Sequence, residues 1–277
     1  MDLIHWRSIS RVIGLGLMIV SFSATLAKAH EFWLMPENFL VQPGGSLRVD
    51  QKNGQHMKGV SIPYLPGEIT RFEVVMGEDV APVVSRLGDI PALDGAAPDQ
   101  NGLAVVVHET AYSSLRYKEF AKFETFATHK AAPEVLAQHR ARGLPESGFT
   151  EIYRRFSKAL IAVGTGSGAD RAMGLRIEIV AQANPYTDDL TAGLPLLVLL
   201  DGQPRPGVQV ELFAMAADGS VTETMHTTDA QGVARVPAQS GVTYLADNVV
   251  IEALPNNDAK AGPVWKSDWA ALTYFVP

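Results

Sequence analysis

Residues 196–228 read LLVLLDGQPRPGVQVELFAMAADGSVTETMHTT, and this stretch decides the fold class. Leu196 to Leu200 is an apolar run of strand length that ends at Asp201-Gly202. Val208 to Phe213 is a second run, closed by Asp218-Gly219, and Thr222 to Thr228 alternates as a third. Asp-Gly between apolar runs is a hairpin signal, because the tight turn needs residues that tolerate positive φ. Further strands are expected at Ala234 to Val236, Thr243 to Leu254 and Leu272 to Val276. Short strands separated by turn signals predict an antiparallel β-sandwich, here of immunoglobulin-like kind, over residues 187–277.

Upstream the pattern is also β, with one interruption. Leu47 to Gln51, Arg71 to Met76, Leu103 to Val107 and Leu175 to Val180 read as strands, and Asn53-Gly54 as a hairpin turn. Between residues 116 and 142 the periodicity changes: Phe120, Phe123, Glu124 and Ala127 lie at helical spacing. Pro133 is placed to start a second helix, with Gly143 just past its end. Glu151 to Leu160 reads as a third short helix, or as a helix running into a strand at Leu160 to Val163. The chain is therefore expected to be mainly β. Two antiparallel sandwich units are expected, residues 30–186 with a helical insert and residues 187–277, joined near Asn184-Pro185-Tyr186.

The first 29 residues have the three zones of a secretory signal peptide. Arg7 and Arg11 are positive, Val12 to Ala27 (VIGLGLMIVSFSATLA) is apolar, and Ala27-Lys28-Ala29 fits the small-x-small cleavage rule. The apolar core is shorter than the ~20 residues that span a bilayer. Cleavage after Ala29 is expected, with a periplasmic mature protein that has no transmembrane segment. Removing 29 of 277 residues leaves 248, and with Arg7, Arg11, Lys28 and Asp2 gone, 20 basic face 29 acidic residues, a net charge of −9. That balance argues against nucleic acid as a partner. The absence of cysteine excludes disulfides, thiolate metal sites and thiol catalysis.

A mature chain beginning at His30 would offer one metal ion both its α-amine and its imidazole, which suits Cu(II) or Ni(II). Because the amine must lose its proton, binding should weaken below a pH of about 8. The competing reading is a frayed terminus with no ligand role. Three more histidines are candidate ligands. His56, in Gly54-Gln55-His56-Met57, lies near a turn from which a strand can pair back toward the N-terminus; otherwise it is an exposed turn residue. His108 ends an apolar strand beside Glu109, with the two side chains on opposite faces. His139 lies near a helix end, where a capping role competes with ligation. His129 is ten residues from His139, not at the i,i+4 spacing of paired helical ligands, and His226 reads as a strand residue. Arg154, Arg155 and Lys158 form a basic cluster beside Tyr153, suited to an anionic ligand or to pairing with the surplus carboxylates.

Several stretches carry a family resemblance. His30-Glu31-Phe32-Trp33-Leu34 with Pro36, His139 to Pro145, Glu151 to Leu160, and Trp269 with Leu272 to Phe275 resemble the bacterial periplasmic domain-of-unknown-function family associated with nickel and cobalt uptake. Asp201-Gly202-Gln203-Pro204 and Thr228 to Ala234 also resemble the carboxypeptidase-regulatory-like sandwiches, which implies scaffold for that half. The resemblance implies an exported accessory protein that binds a transition metal, nickel or cobalt, with copper favoured by the chelate chemistry, and that serves a membrane metal transporter rather than acting as a catalyst. Two rival readings stay open. A histidine brace on a β-sandwich is similar to the copper-dependent polysaccharide monooxygenases, and a metal-free module would bind a surface polymer or protein.

Overall fold

The computed structural model describes residues 31–277; the expected signal peptide and His30 lie outside the described residues. Nine strands come first: β1 (Glu31–Pro36), β2 (Leu40–Val41), β3 (Ser46–Gln55), β4 (Lys58–Ile62), β5 (Ile69–Met76), β6 (Asp79–Pro82), β7 (Leu93–Ala96), β8 (Gly102–Thr110) and β9 (Ser113–Tyr117). Two helices follow, α1 (Phe120–His129) and α2 (Glu134–Ala141). The chain then returns to β10 (Phe149–Val163), β11 (Ile177–Ala181), β12 (Leu194–Leu200), β13 (Gln203–Pro204), β14 (Gln209–Met215), β15 (Val221–Thr227), β16 (Val233–Val236), β17 (Val242–Ala253) and β18 (Trp265–Val276). The protein is mainly β, as expected, and the helical insert falls where its periodicity put it.

A ten-stranded sheet forms the centre, in the order β15-β14-β17-β18-β10-β8-β5-β6, with β2 and β9 on the flanks of β10. A sheet of β1, β3, β4 and β7 covers one face, and a sheet of β11, β12, β13 and β16 covers the other. Alternation along the central strands feeds the two interfaces separately. Leu103, Val105 and Val107 of β8, with Leu272 and Tyr274 of β18, pack toward β11 and β12. Ala104 and Val106 of β8, with Ile161 and Val163 of β10, pack toward β1 and β3. The helices close the remaining part of that second face over Trp265 and Trp269, where Phe126 stacks on Trp269 at 5.3 Å.

The two expected units share this sheet. β5, β6, β8 and β10 lie before residue 187 and β14, β15, β17 and β18 after it, and β10 pairs with β18 in parallel. Covered on both faces, β10 and β18 are the strands for which parallel pairing is suited. The junction expected at Asn184 is a buried turn, where the Asn184 amide donates to Gly166 and Gly168 carbonyls at 2.8 and 2.9 Å.

Two local expectations are corrected. Residues 151–160 are not helical but run through the middle of β10. Glu151, Arg154, Arg155 and Lys158 have the spacing of a polar helix face, yet three of them are partnered inside the protein: Glu151 accepts from Tyr117, Arg154 pairs with Glu109, and Lys158 lies between Asp170 and Glu178. The hairpin turn falls not on Asn53-Gly54 but on His56-Met57, with φ of +50° and +55°. Gly54 is instead a strand residue between Glu31 and Gly59, where a Cβ would stand 2.1 Å from the Lys58 carbonyl oxygen.

Candidate metal site

β14, β15 and β17 lie side by side and carry acids on one face. Glu211 on β14 is in direct register with Asp247 on β17, and Glu223 is on β15. Carboxylates opposite one another on adjacent strands repel. The end of α1 supplies the counter-charge. Lys130, the residue after α1, is buried and reaches both Glu211 and Asp247, at 2.7 Å in the second case. Burial works against its charge, but the two carboxylates outweigh burial and raise its pKa. His129, the last residue of α1, donates from Nε2 to Glu211 Oε1 at 2.7 Å. The Gln209 amide holds the His129 carbonyl at 2.8 Å, fixing the helix end over β14.

On the solvent side the chain of contacts continues. His129, Glu211 and Glu223 each bring a ligand-type atom within 4.8 Å of the other two. Across the β3–β4 turn, His56 Nδ1 lies 2.9 Å from Glu223 Oε2, and the ring meets Phe213 edge-on at 5.8 Å. The side chains of His56 and His129 are 47% and 42% exposed, against 2% for Glu211, so the cluster opens outward through its histidines. Burial acts to raise the Glu211 pKa, but the His129 hydrogen bond and the Lys130 ammonium hold it down at about 2. Burial and the neighbouring Glu211 raise that of Glu223. The Glu211 hydrogen bond raises that of His129.

Glu31, the first residue of β1, is in the same electrostatic neighbourhood. Burial lifts its pKa to about 7, against the pull of Lys130 and with the push of Asp247 and Glu211. Its Oε2 has no hydrogen-bond partner among the described residues. The expected mature terminus is one peptide bond from Glu31.

A metal bonded at ~2.1 Å holds its ligand atoms no more than ~4.2 Å apart. The His129, Glu211 and Glu223 atoms would therefore need only a small closing movement. Imidazole with carboxylate is a donor set for first-row transition metals. Because imidazole and carboxylate bind a metal in their deprotonated forms, a dication here would compete with protons and bind more weakly as pH falls.

The candidates from sequence separate. His56 is in this cluster. His108 is not: it is fully buried between Phe32 and Phe72, and burial lowers its pKa to about 3. His139 is also elsewhere, with both ring nitrogens engaged. Its Nδ1 accepts from Trp265 Nε1 at 3.0 Å, so Nε2 carries the proton and donates to the Pro145 carbonyl at 3.1 Å. His226 meets Thr224 at 2.9 Å on β15. Sequence reading missed Glu211 and Glu223 altogether and gave His129 no role. The one available signal was Glu211 itself, an acid inside the apolar alternation Val210-Glu211-Leu212.

The model of a family described as Domain of unknown function (DUF4198) matches residues 27–251. No curated protein matches the chain. A solved structure titled "Crystal structure of tetra-tandem repeat in extending region of large adhesion protein" aligns with 88% of this chain at 11% identity and a TM-score of 0.23, and the alignment spans 49% of that protein. No helix among the described residues is long and apolar enough to cross a membrane.

Proposed function

This chain belongs to the DUF4198 family, and we propose that within it the protein is an exported transition-metal-binding accessory, taking nickel, cobalt or copper for delivery to uptake. The observation that carries the reading is the convergence of His129, Glu211 and Glu223, with His56 on Glu223, at the end of β1 where the mature chain would start. Cleavage after Ala29 would place the His30 amine and imidazole one residue from Glu31. In this proposal those two nitrogens join the ligand set. Lys130, on both Glu211 and Asp247, offsets the repulsion between these two acids.

Elemental analysis and calorimetric titration of the processed protein with Ni(II), Co(II) and Cu(II) test the proposal. One equivalent of metal is expected. His129→Ala, Glu223→Gln and a variant with one extra residue before His30 should each bind roughly tenfold or more weakly, a loss of about 1.4 kcal/mol or more. Metal binding that all three variants retain would place the metal elsewhere. No binding by the wild type would end the metal reading and favour a polymer- or protein-binding module.

A further inference from the structure

A cavity lies between β1, β3 and β4 on one side and β8 and β10 on the other, and the metal reading does not use it. It encloses about 160 Å³ and is lined by Phe32, Gln51, Ile62, His108, Tyr153 and Arg155, among others. Three of these are polar and more than nine-tenths buried: Gln51 at 3% exposure, His108 at 0% and Arg155 at 9%. Each has a polar atom without a hydrogen-bond partner: Gln51 Nε2, both ring nitrogens of His108, and Arg155 Nη1. Unmade hydrogen bonds of buried groups each cost about 1–3 kcal/mol, more when charged. Such groups converging on one cavity are the mark of a site whose partner comes from outside the chain.

Arg155 sets the sign of that partner. Of the basic cluster on β10, Arg154 is paired with Glu109 and Lys158 with Asp170 and Glu178. Among the described residues no salt bridge joins Arg155 to a carboxylate. Its guanidinium lies 4.0 Å over Trp269 and 5.1 Å from the Tyr153 ring, which fixes its plane and leaves its donors uncommitted. A fixed guanidinium fork matches a carboxylate by two parallel hydrogen bonds.

We propose that this cavity binds a small monocarboxylate, with its carboxylate on Arg155 and Gln51 Nε2 and its short carbon chain against Phe32 and Ile62. A single guanidinium favours one negative charge over two, the more so with Asp247, Glu151 and Glu31 nearby and the exposed Glu68 at the rim. The cavity is small and its polar groups lie close together, which suits an acid of a few carbons. His108 offers one neutral donor or acceptor, which suits a hydroxyl on that chain.

The test uses propionate and lactate as probes, with phosphate and chloride as parallel arms at constant ionic strength. The full processed, metal-free protein is followed through the side-chain NMR signals of Gln51 and His108. Saturable shifts with the carboxylates are expected, tighter for lactate. Arg155→Gln should abolish them, and Gln51→Leu should raise the Kd about tenfold. If Arg155→Gln does not fold, Gln51→Leu decides. Three results would overturn the proposal: no saturation, which makes this a water-filled cavity; saturation by phosphate or chloride as strongly as by propionate; or variants that titrate like the wild type.

Discussion

Two buried lysines serve opposite faces of the central sheet, and only one is sealed. Lys158 Nζ lies 2.8 and 3.0 Å from the two Asp170 oxygens, 3.0 Å from Glu178 and 3.2 Å from the Arg171 carbonyl, four acceptors that share its three hydrogens. The two acids are finished off by backbone N–H groups of Arg171, Met173, Leu175 and Ala181. Nothing in that group leads to solvent. Lys130 also bridges two acids, but Glu211 passes on to His129, and beyond it lie Glu223 and His56, both reaching the surface. The same local chemistry makes a structural staple on one face and an open, proton-sharing cluster on the other. What separates them is whether backbone donors use up the carboxylate oxygens.

The largest effect is expected where the group is closed. Lys158→Met strands two carboxylates that are 0% and 1% exposed, and removal of one partner from such a group costs about 3–5 kcal/mol. Urea unfolding should show that loss, with no recovery on adding Ni(II) or Cu(II). A loss under about 1 kcal/mol would mean that the staple does not hold β10 to β11. Lys130→Met should cost less, about 2–3 kcal/mol, because Glu211 keeps its His129 bond and Asp247 can take up a proton. Here added metal should restore part of the unfolding midpoint. Equal losses in the two variants, with no rescue in either, would erase the distinction between the clusters.

Gly54→Ala should give the smallest effect on metal affinity, although it strains the backbone of its hairpin. Its Cβ would sit 2.1 Å from the Lys58 carbonyl oxygen and 2.4 Å from the Gly59 Cα. The atoms met are backbone and cannot swing aside, so the cost is at least the roughly 1–3 kcal/mol of overpacking, and the strain falls on the hairpin that carries His56. Metal affinity should fall a few-fold, as it should in His56→Ala, if the turn is an arm of the open cluster. Unfolding and metal titration of the same sample separate the two effects.

The strands were legible where turn chemistry and alternation agreed. Asp201-Gly202, with φ of +50° and +75°, and the turn at Asp218-Gly219 are where the sequence put them. Legibility failed where a polar residue had an interior partner. Glu151, Arg154 and Lys158 imitate a helix face because a pattern of polarity cannot say whether each charge meets water or a partner inside the protein. Asn53-Gly54 misled because glycine serves close strand approach as well as turns. Of the candidate ligands, His56 could be read through its turn. His129 became visible only with its partners, which are 82 and 94 positions away in Glu211 and Glu223 and meet it only once α1 docks on β14.

The place of β18 has a consequence for the order of events in the life of the chain. Residues 265–276 lie between β17 and β10, in the interior of the ten-stranded sheet, not at its margin. During synthesis from the N-terminus, β10 waits about a hundred residues for the neighbour that completes it. Pairings so distant in sequence form slowly. The middle of the sheet cannot close until residues 265–276 have been made. A stop codon ahead of Trp265 would remove the middle of the sheet rather than trim its edge.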